Sequence, residues 1–295
     1  MEKVTFEVRG ETLAGHLYRP AGATGDRPAL VLTGPYTGVK EQVTGTYAER
    51  LAAEGFATLA FDHRNFGESG GAVRQHEDPP AKLDDLAAAT ALLRATDGVD
   101  AGRIGAVGIC LGGSYALRHA GFDPRIRALA TVAAAYLGFA PADDAAAAGK
   151  ASWLGGYAEE LDRLAAGRPT RVAVVSDDAD EEVGMPGREP FEYYGTARAR
   201  SPHWRNEITR LSSYNLAGFD AVGAARYLHE TPTLVVHGTA DAFCSPESAR
   251  RAYEMMSGEK RFESIETTNH IELYDGEPHV SKAVAAVGDW MRAHL

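Results

Sequence analysis

The chain has 295 residues, 44% of them hydrophobic and 24% charged, ordinary proportions for a globular protein with one large core and room for an insertion. Its formal net charge of −11 repels phosphate backbones and anionic lipid, so neither nucleic acid nor a membrane surface is an expected partner. The two cysteines, Cys110 and Cys244, are too few for a secreted disulfide scaffold, and neither has a Cys or His neighbour at zinc-finger spacing. No metal and no cofactor are therefore expected, and free thiols fit a reducing cytoplasm.

The N-terminus MEKVTFEVRG lacks the apolar core of a signal peptide. Val4 to Arg19 alternates in two short runs around Gly10-Glu11, the pattern of a hairpin. A strand at Ala29–Leu32 ends in the turn-rich TGPYTG. A helix is expected over Glu41–Glu54 with Gly55 behind it, then the strand FATLAFD and the loop NFGESGG. Pro80–Thr96 reads as a helix, IGAVGI as a strand, CLGGSYALRHA as a turn and helix, and Ile126–Ala133 as a strand. The longest uncharged run, Ala128–Ala142, is too short to cross a bilayer. Strands alternating with long helices indicate a mostly parallel, doubly wound α/β sheet.

From Leu137 to Glu230 that rhythm breaks, and it resumes with TLVVHG, a helix Ser245–Met256, the strand RFESIE and a last helix Val280–His294. The expected division is a core in two parts, 1–136 and 231–295, with a helical cap insertion at 137–230 over the strands' C-terminal edge. No internal repeat or low-complexity tract is apparent.

Gly108-Ile109-Cys110-Leu111-Gly112-Gly113 is the informative segment. A strand runs into it and a helix leaves it, so the residue between must turn sharply, with small neighbours that let the backbone fold. This is the nucleophile elbow G-x-S-x-G with Cys in place of Ser. The helix N-terminus favours a thiolate at Cys110, and the Leu111 N–H, an unpaired first-turn donor, is free to bind an oxyanion. The competing reading is a buried structural cysteine with glycines for helix packing.

With such an elbow, an acid and then a base follow along the chain. Asp241 lies in the loop after TLVVHG and suits the acid, although an Asx-turn or helix cap would also use it. His270 lies in the loop after the next strand and suits the base. His63, beside Asp62, is its nearest rival, and His279 the next. The second oxyanion donor should come from the loop after ALVLTG. Pro35 has no N–H, so Tyr36 is the expected donor, with Thr37 behind it; the competing reading is a loop that only connects.

Pro35 and Thr37 are also candidate substrate-binding residues, as are Tyr193 and Tyr194 in the insertion, which either line an acyl pocket or pack. The acidic run Asp177–Glu182 lacks the spacing of a calcium loop and reads as solvated. Cys244 reads as packing under the Asp241 loop, and Arg64 as bridging loops in preference to contacting a substrate carboxylate.

Taken together, GPYTGVKEQ, FDHRNFGESGG, GICLGGSYAL, HGTADAF and TNHIELYD resemble the Cys-nucleophile branch of the α/β-hydrolase superfamily, near the dienelactone-hydrolase-like proteins and the fungal polyketide transferases. The resemblance covers most of the chain and is weakest in the insertion. It implies an α/β-hydrolase fold, Cys110 as nucleophile, Asp241 as acid, His270 as base, and an oxyanion hole from Leu111 and Tyr36. Where relatives often read HPGGG this chain has Gly34-Pro35-Tyr36-Thr37-Gly38, which implies a narrower acyl pocket.

The expected activity is hydrolysis of an ester, thioester or lactone through a Cys110 acyl-thioenzyme. The alternatives are transfer of a polyketide-like acyl group to an alcohol or amine, and a non-catalytic binding protein of the same fold. The expected partner is a small-molecule acyl substrate, free or as a carrier-bound thioester, with homodimer formation open.

Overall fold

The computed structural model describes residues 1–22, 24–140 and 144–295; Pro141 and Ala142, at the end of the long uncharged run, lie outside them. The N-terminal hairpin pairs β1 (Glu2–Val8) with β2 (Glu11–Tyr18). Arg9 and Gly10 between them both have positive φ, 50° and 85°, as the tightest hairpin turn demands. Strands and helices then alternate through β3 (Arg27–Thr33), α1 (Val43–Ala53), β4 (Ala57–Phe61), α2 (Pro79–Arg94), β5 (Val99–Ile109), α3 (Gly112–Phe122) and β6 (Ile126–Val132).

The insertion follows, with α4 (Asp144–Leu154), α5 (Tyr157–Ala165), β7 (Arg171–Val172), α6 (Arg188–Tyr194), β8 (Ile208–Thr209), α7 (Leu211–Ala217) and a 3-10 turn at Val222–Tyr227. The chain closes with β9 (Thr233–Gly238), α8 (Pro246–Met255), β10 (Lys260–Ile265), α9 (Glu272–Asp275) and α10 (His279–His294).

Eight strands form one sheet in the order β1-β2-β4-β3-β5-β6-β9-β10. Only the β1–β2 and β2–β4 pairings are antiparallel. Helices cover both faces, so the central strands are apolar without alternation; every residue of β4 and of β9 is buried. This is the α/β-hydrolase fold. No helix among the described residues is long and apolar enough to cross a membrane.

Helix starts follow their capping chemistry. Asp78 accepts the Ala81 N–H ahead of Pro79-Pro80 in α2, and Ser245 accepts the Ser248 N–H ahead of Pro246 in α8. The α1 helix begins at Val43 rather than Glu41, and Lys40 and Glu41 ahead of it belong to a charge cluster. Buried Lys40 Nζ lies 2.7 Å from Asp62, 2.8 Å from Glu41 and 2.7 Å from Glu68. The insertion is not purely helical: β7 and β8 form a small antiparallel pair, too short to leave a mark on the sequence pattern.

Candidate active site

The bend between β5 and α3 sets the site's geometry. Cys110 has φ 55°, a left-handed conformation that costs a non-glycine residue about 1–3 kcal/mol and persists only when its surroundings enforce it. Three backbone bonds do so: Cys110 N–H donates to Val132 O at 3.0 Å, and its carbonyl accepts from Gly113 and Ala135, each at 2.9 Å. The flanking glycines are steric necessities. A Cβ on Gly108 would lie 2.4 Å from Gly112 O, and one on Gly112 would lie 2.2 Å from Thr33 O. The second approach brings the end of β3, and hence the Tyr36 loop, against the elbow.

Asp241 and His270 come from the loops after β9 and β10. Asp241 Oδ2 meets His270 Nδ1 at 2.6 Å. Its Oδ1 accepts the N–H groups of Phe243 at 2.9 Å and Cys244 at 2.7 Å, so the residue is at once an Asx turn and the partner of the imidazole. That turn folds Cys244 back until its Sγ is 3.9 Å from Cys110 Sγ. The two sulfurs and a ring nitrogen of His270 all lie within 4.8 Å of one another. His270 Nε2 also meets the Tyr274 hydroxyl at 2.9 Å.

Electrostatics couple these groups. The Cys110 thiol is held well below its ordinary value, first by the hydrogen bond from Cys244 and then by the His270 charge, with burial opposing. Burial pulls His270 down, but the Cys110 charge and the Asp241 hydrogen bond outweigh it and push the imidazole up to about 10. Cys244 moves upward, through its hydrogen bond to Cys110 and through burial. These shifts favour a Cys110 thiolate beside a protonated His270 and keep Cys244 a thiol.

The rival base is engaged elsewhere. His63 meets Thr33 Oγ1 at 2.9 Å and Asp85 at 3.3 Å, and burial lowers its pKa. Arg64 bonds Asp85 through Nε at 2.7 Å, tying its loop to α2. His279 opens α10, 3.9 Å from Glu272. The run Asp177–Glu182 is exposed.

Pro35, Tyr36 and Thr37 are buried, and Thr37 has φ 60°. Trp204 Nε1 donates to Thr37 Oγ1 at 3.4 Å, and the Trp204 ring stacks on Tyr194 with centroids 5.5 Å apart. Tyr193 meets Tyr274 edge-on at 5.0 Å. The two tyrosines therefore belong to an aromatic roof over the site. Glu189 of α6 accepts the Ile271 N–H at 3.0 Å, which fastens the insertion to the loop carrying His270. A cavity of about 540 Å³ opens nearby, lined by Val183, Pro186, Gly187 and Phe191 among others. Gly187 faces Phe243, whose ring centroid is 6.2 Å from that of His270. Cys110 is not among its lining residues.

Three members of the site were not assigned to it from sequence. Cys244 contacts Cys110 instead of merely packing under the loop, Tyr274 bonds His270, and Glu189 holds Ile271.

Comparison with known proteins agrees with this architecture. The thiohydrolase aneE of Aspergillus aculeatus is 28% identical over 276 residues, 89% of this chain and 84% of its own. The polyketide transferase claH of Penicillium crustosum is 27% identical over 296 residues, covering 94% and 92%. The crystal structure of hypothetical protein PA2218 from Pseudomonas aeruginosa superimposes with a TM-score of 0.85 at 28% identity, over 100% of this chain and 93% of that one. A family model, Hydrolase_4, described as serine aminopeptidase, S33, matches residues 37–277. The chain belongs to this Hydrolase_4 family of α/β hydrolases.

Proposed function

We propose that the protein is a cysteine acyl hydrolase that cleaves an ester, thioester or lactone through an acyl-thioenzyme on Cys110. The observation that carries this reading is the left-handed Cys110 within 4.8 Å of an imidazole whose other nitrogen is held by Asp241 at 2.6 Å. Thiohydrolase and polyketide transferase relatives support ester or thioester hydrolysis or acyl transfer as the class of chemistry.

In the proposed cycle Cys110 Sγ attacks the substrate carbonyl carbon, and its oxygen becomes an oxyanion. The N–H groups of Leu111 and Tyr36 would bind that oxygen; among the described residues neither donates a hydrogen bond elsewhere. His270 gives its Nε2 proton to the leaving group as the carbonyl re-forms. A water then loses a proton to His270 and attacks the thioester, and Cys110 leaves as thiolate. Tyr193 and Tyr194 in the roof, with Pro35 and Thr37 below, would contact the acyl group. Two unpaired thiols, one of them the nucleophile, suit a reducing cytoplasm.

A second reading, acyl transfer to an alcohol or amine, is favoured by one feature: His270 is only 4% exposed beneath the aromatic roof, so water has restricted access. Activated esters and thioesters incubated with the protein, with and without alcohol acceptors, separate the two. Free acid supports hydrolysis, and a new ester supports transfer. Intact mass should show an acyl adduct that is lost in Cys110→Ala, and an adduct persisting in that variant overturns the nucleophile assignment. His270→Ala should lower turnover by several orders of magnitude.

A further inference from the structure

Two thiols and an imidazole converge where the proposed chemistry requires only one thiol. The sulfurs of Cys110 and Cys244 are 3.9 Å apart. A tetrahedral ion with Zn–S bonds of about 2.3 Å holds two sulfurs about 3.8 Å apart, so this pair already has the spacing of two ligands on one cation. The third donor, a His270 nitrogen, lies within 4.8 Å of both.

The imidazole is also prepared as metal-bound histidines are. Asp241 takes Nδ1 at 2.6 Å, which fixes the ring and leaves Nε2 as the donor. Asp241 is itself held by two backbone N–H groups. The Tyr274 hydroxyl, 2.9 Å from Nε2, marks the side on which a fourth oxygen ligand, phenol or water, would stand. Cys110 is partly exposed while Cys244 is buried, which leaves an ion a route in.

The cluster His16, Glu41 and Glu68 differs. Its carboxylates already share a cation, Lys40 Nζ, at 2.8 and 2.7 Å.

We propose that Cys110, Cys244 and His270 form a three-ligand site for a thiophilic d10 cation, Zn²⁺ foremost, and that its occupation shuts the enzyme off. Two thiolates and one imidazole select zinc or cadmium over magnesium or calcium. Coordination occupies the sulfur lone pair that attacks the substrate and the nitrogen that carries the proton. It releases to solvent the Cys244 thiol proton and the proton shared by Cys110 and His270. The inhibitory consequence rests on the proposed function; the ion site does not.

The test is titration of chelator-treated protein with Cd²⁺, following thiolate-to-metal absorption, and with Zn²⁺ by calorimetry. One ion per chain with the absorption of two thiolates is expected. Cys244→Ser should keep the far-UV spectrum, show one thiolate per ion and bind Zn²⁺ more than ~100-fold more weakly, since even outer partners such as Asp241 are worth about 10–100-fold. Unchanged affinity and absorption in Cys244→Ser overturn the site. Should that variant misfold, the parent decides alone, because the absorption of a single thiolate per ion overturns the site equally. A protein that binds Zn²⁺ one-to-one at both sulfurs but never turns over acyl substrates, even stripped of metal, refutes the hydrolase reading and leaves the site standing. One that turns over and ignores stoichiometric Zn²⁺ refutes the site alone.

Discussion

The Tyr274 hydroxyl stands 2.9 Å from His270 Nε2, the ring nitrogen left over once Asp241 has taken Nδ1. The phenol also faces Cys110 and helps hold its thiol down, while burial and the Cys110 charge push the phenol's own pKa well up and keep it protonated. Tyr274→Phe removes a hydrogen bond to a charged pair, worth about 1.5–3 kcal/mol. The expected outcome is a kcat/KM lower by ~10–100-fold, with the acid limb of its pH profile moved upward. A profile unchanged in position would show that the phenol only fills space.

The thiolate–imidazolium pair fixes the sign of the pH dependence. Cys110 is depressed and His270 is raised to about 10, which favours the thiolate–imidazolium form across neutral pH. On the proposed function, acid should protonate the sulfur and slow acylation. On the same reading, alkali beyond about pH 10 should remove the His270 proton that a leaving group would need. Alkylation of Cys110 by iodoacetamide should therefore change little between pH 6 and pH 8, where an unperturbed thiol of pKa about 8.5 would gain about 75-fold. A rate that climbs like that of a free cysteine would rule out the ion pair.

How much of this could be read from the chain depends on whether each feature is local. The elbow is legible because Gly108, Cys110 and Gly112 are neighbours and each answers a steric demand of one turn. Asp241 and His270 are legible because both follow strands in the order the fold uses. Cys244 is not, since its place beside Cys110 depends on the Asx turn that folds it back across a distance of 134 residues. Tyr274 carries a signal that could have been used: it is four residues after His270, one helical turn, and α9 supplies that turn. The β7–β8 pair and the Glu189 bond to Ile271 depend on how the insertion lies on the core, which no local pattern encodes.

Glu189 provides a test of that clamp. Its carboxylate accepts the Ile271 N–H at 3.0 Å, a donor at the start of α9 that has no partner within its own helix. Glu189→Ala should cost about 1 kcal/mol and lower Tm by about 1.5–2 °C in a chain of this size. It should lower kcat more than it raises KM, because the loosened loop carries His270 rather than the binding surface. A variant with unchanged Tm and kcat would show that α6 does not hold His270 in place.

Two glycine substitutions should have opposite signs. A Cβ on Gly112 would lie 2.2 Å from Thr33 O and 2.8 Å from Gly34 O. Both are backbone atoms that cannot rotate away, so α3 or the end of β3 must shift. Gly112→Ala should therefore destabilise by about 1–3 kcal/mol and depress acylation as well, since Thr33 and Gly34 lead into the Tyr36 loop. A Cβ on Gly149, inside α4, would meet nothing within 4 Å, and alanine there gains about 0.5–1 kcal/mol of helix stability. Thermal denaturation of the two variants beside the parent checks this pair. If Gly112→Ala melts at or above the parent with full activity, close contact between the elbow and the Tyr36 loop is not what shapes the site.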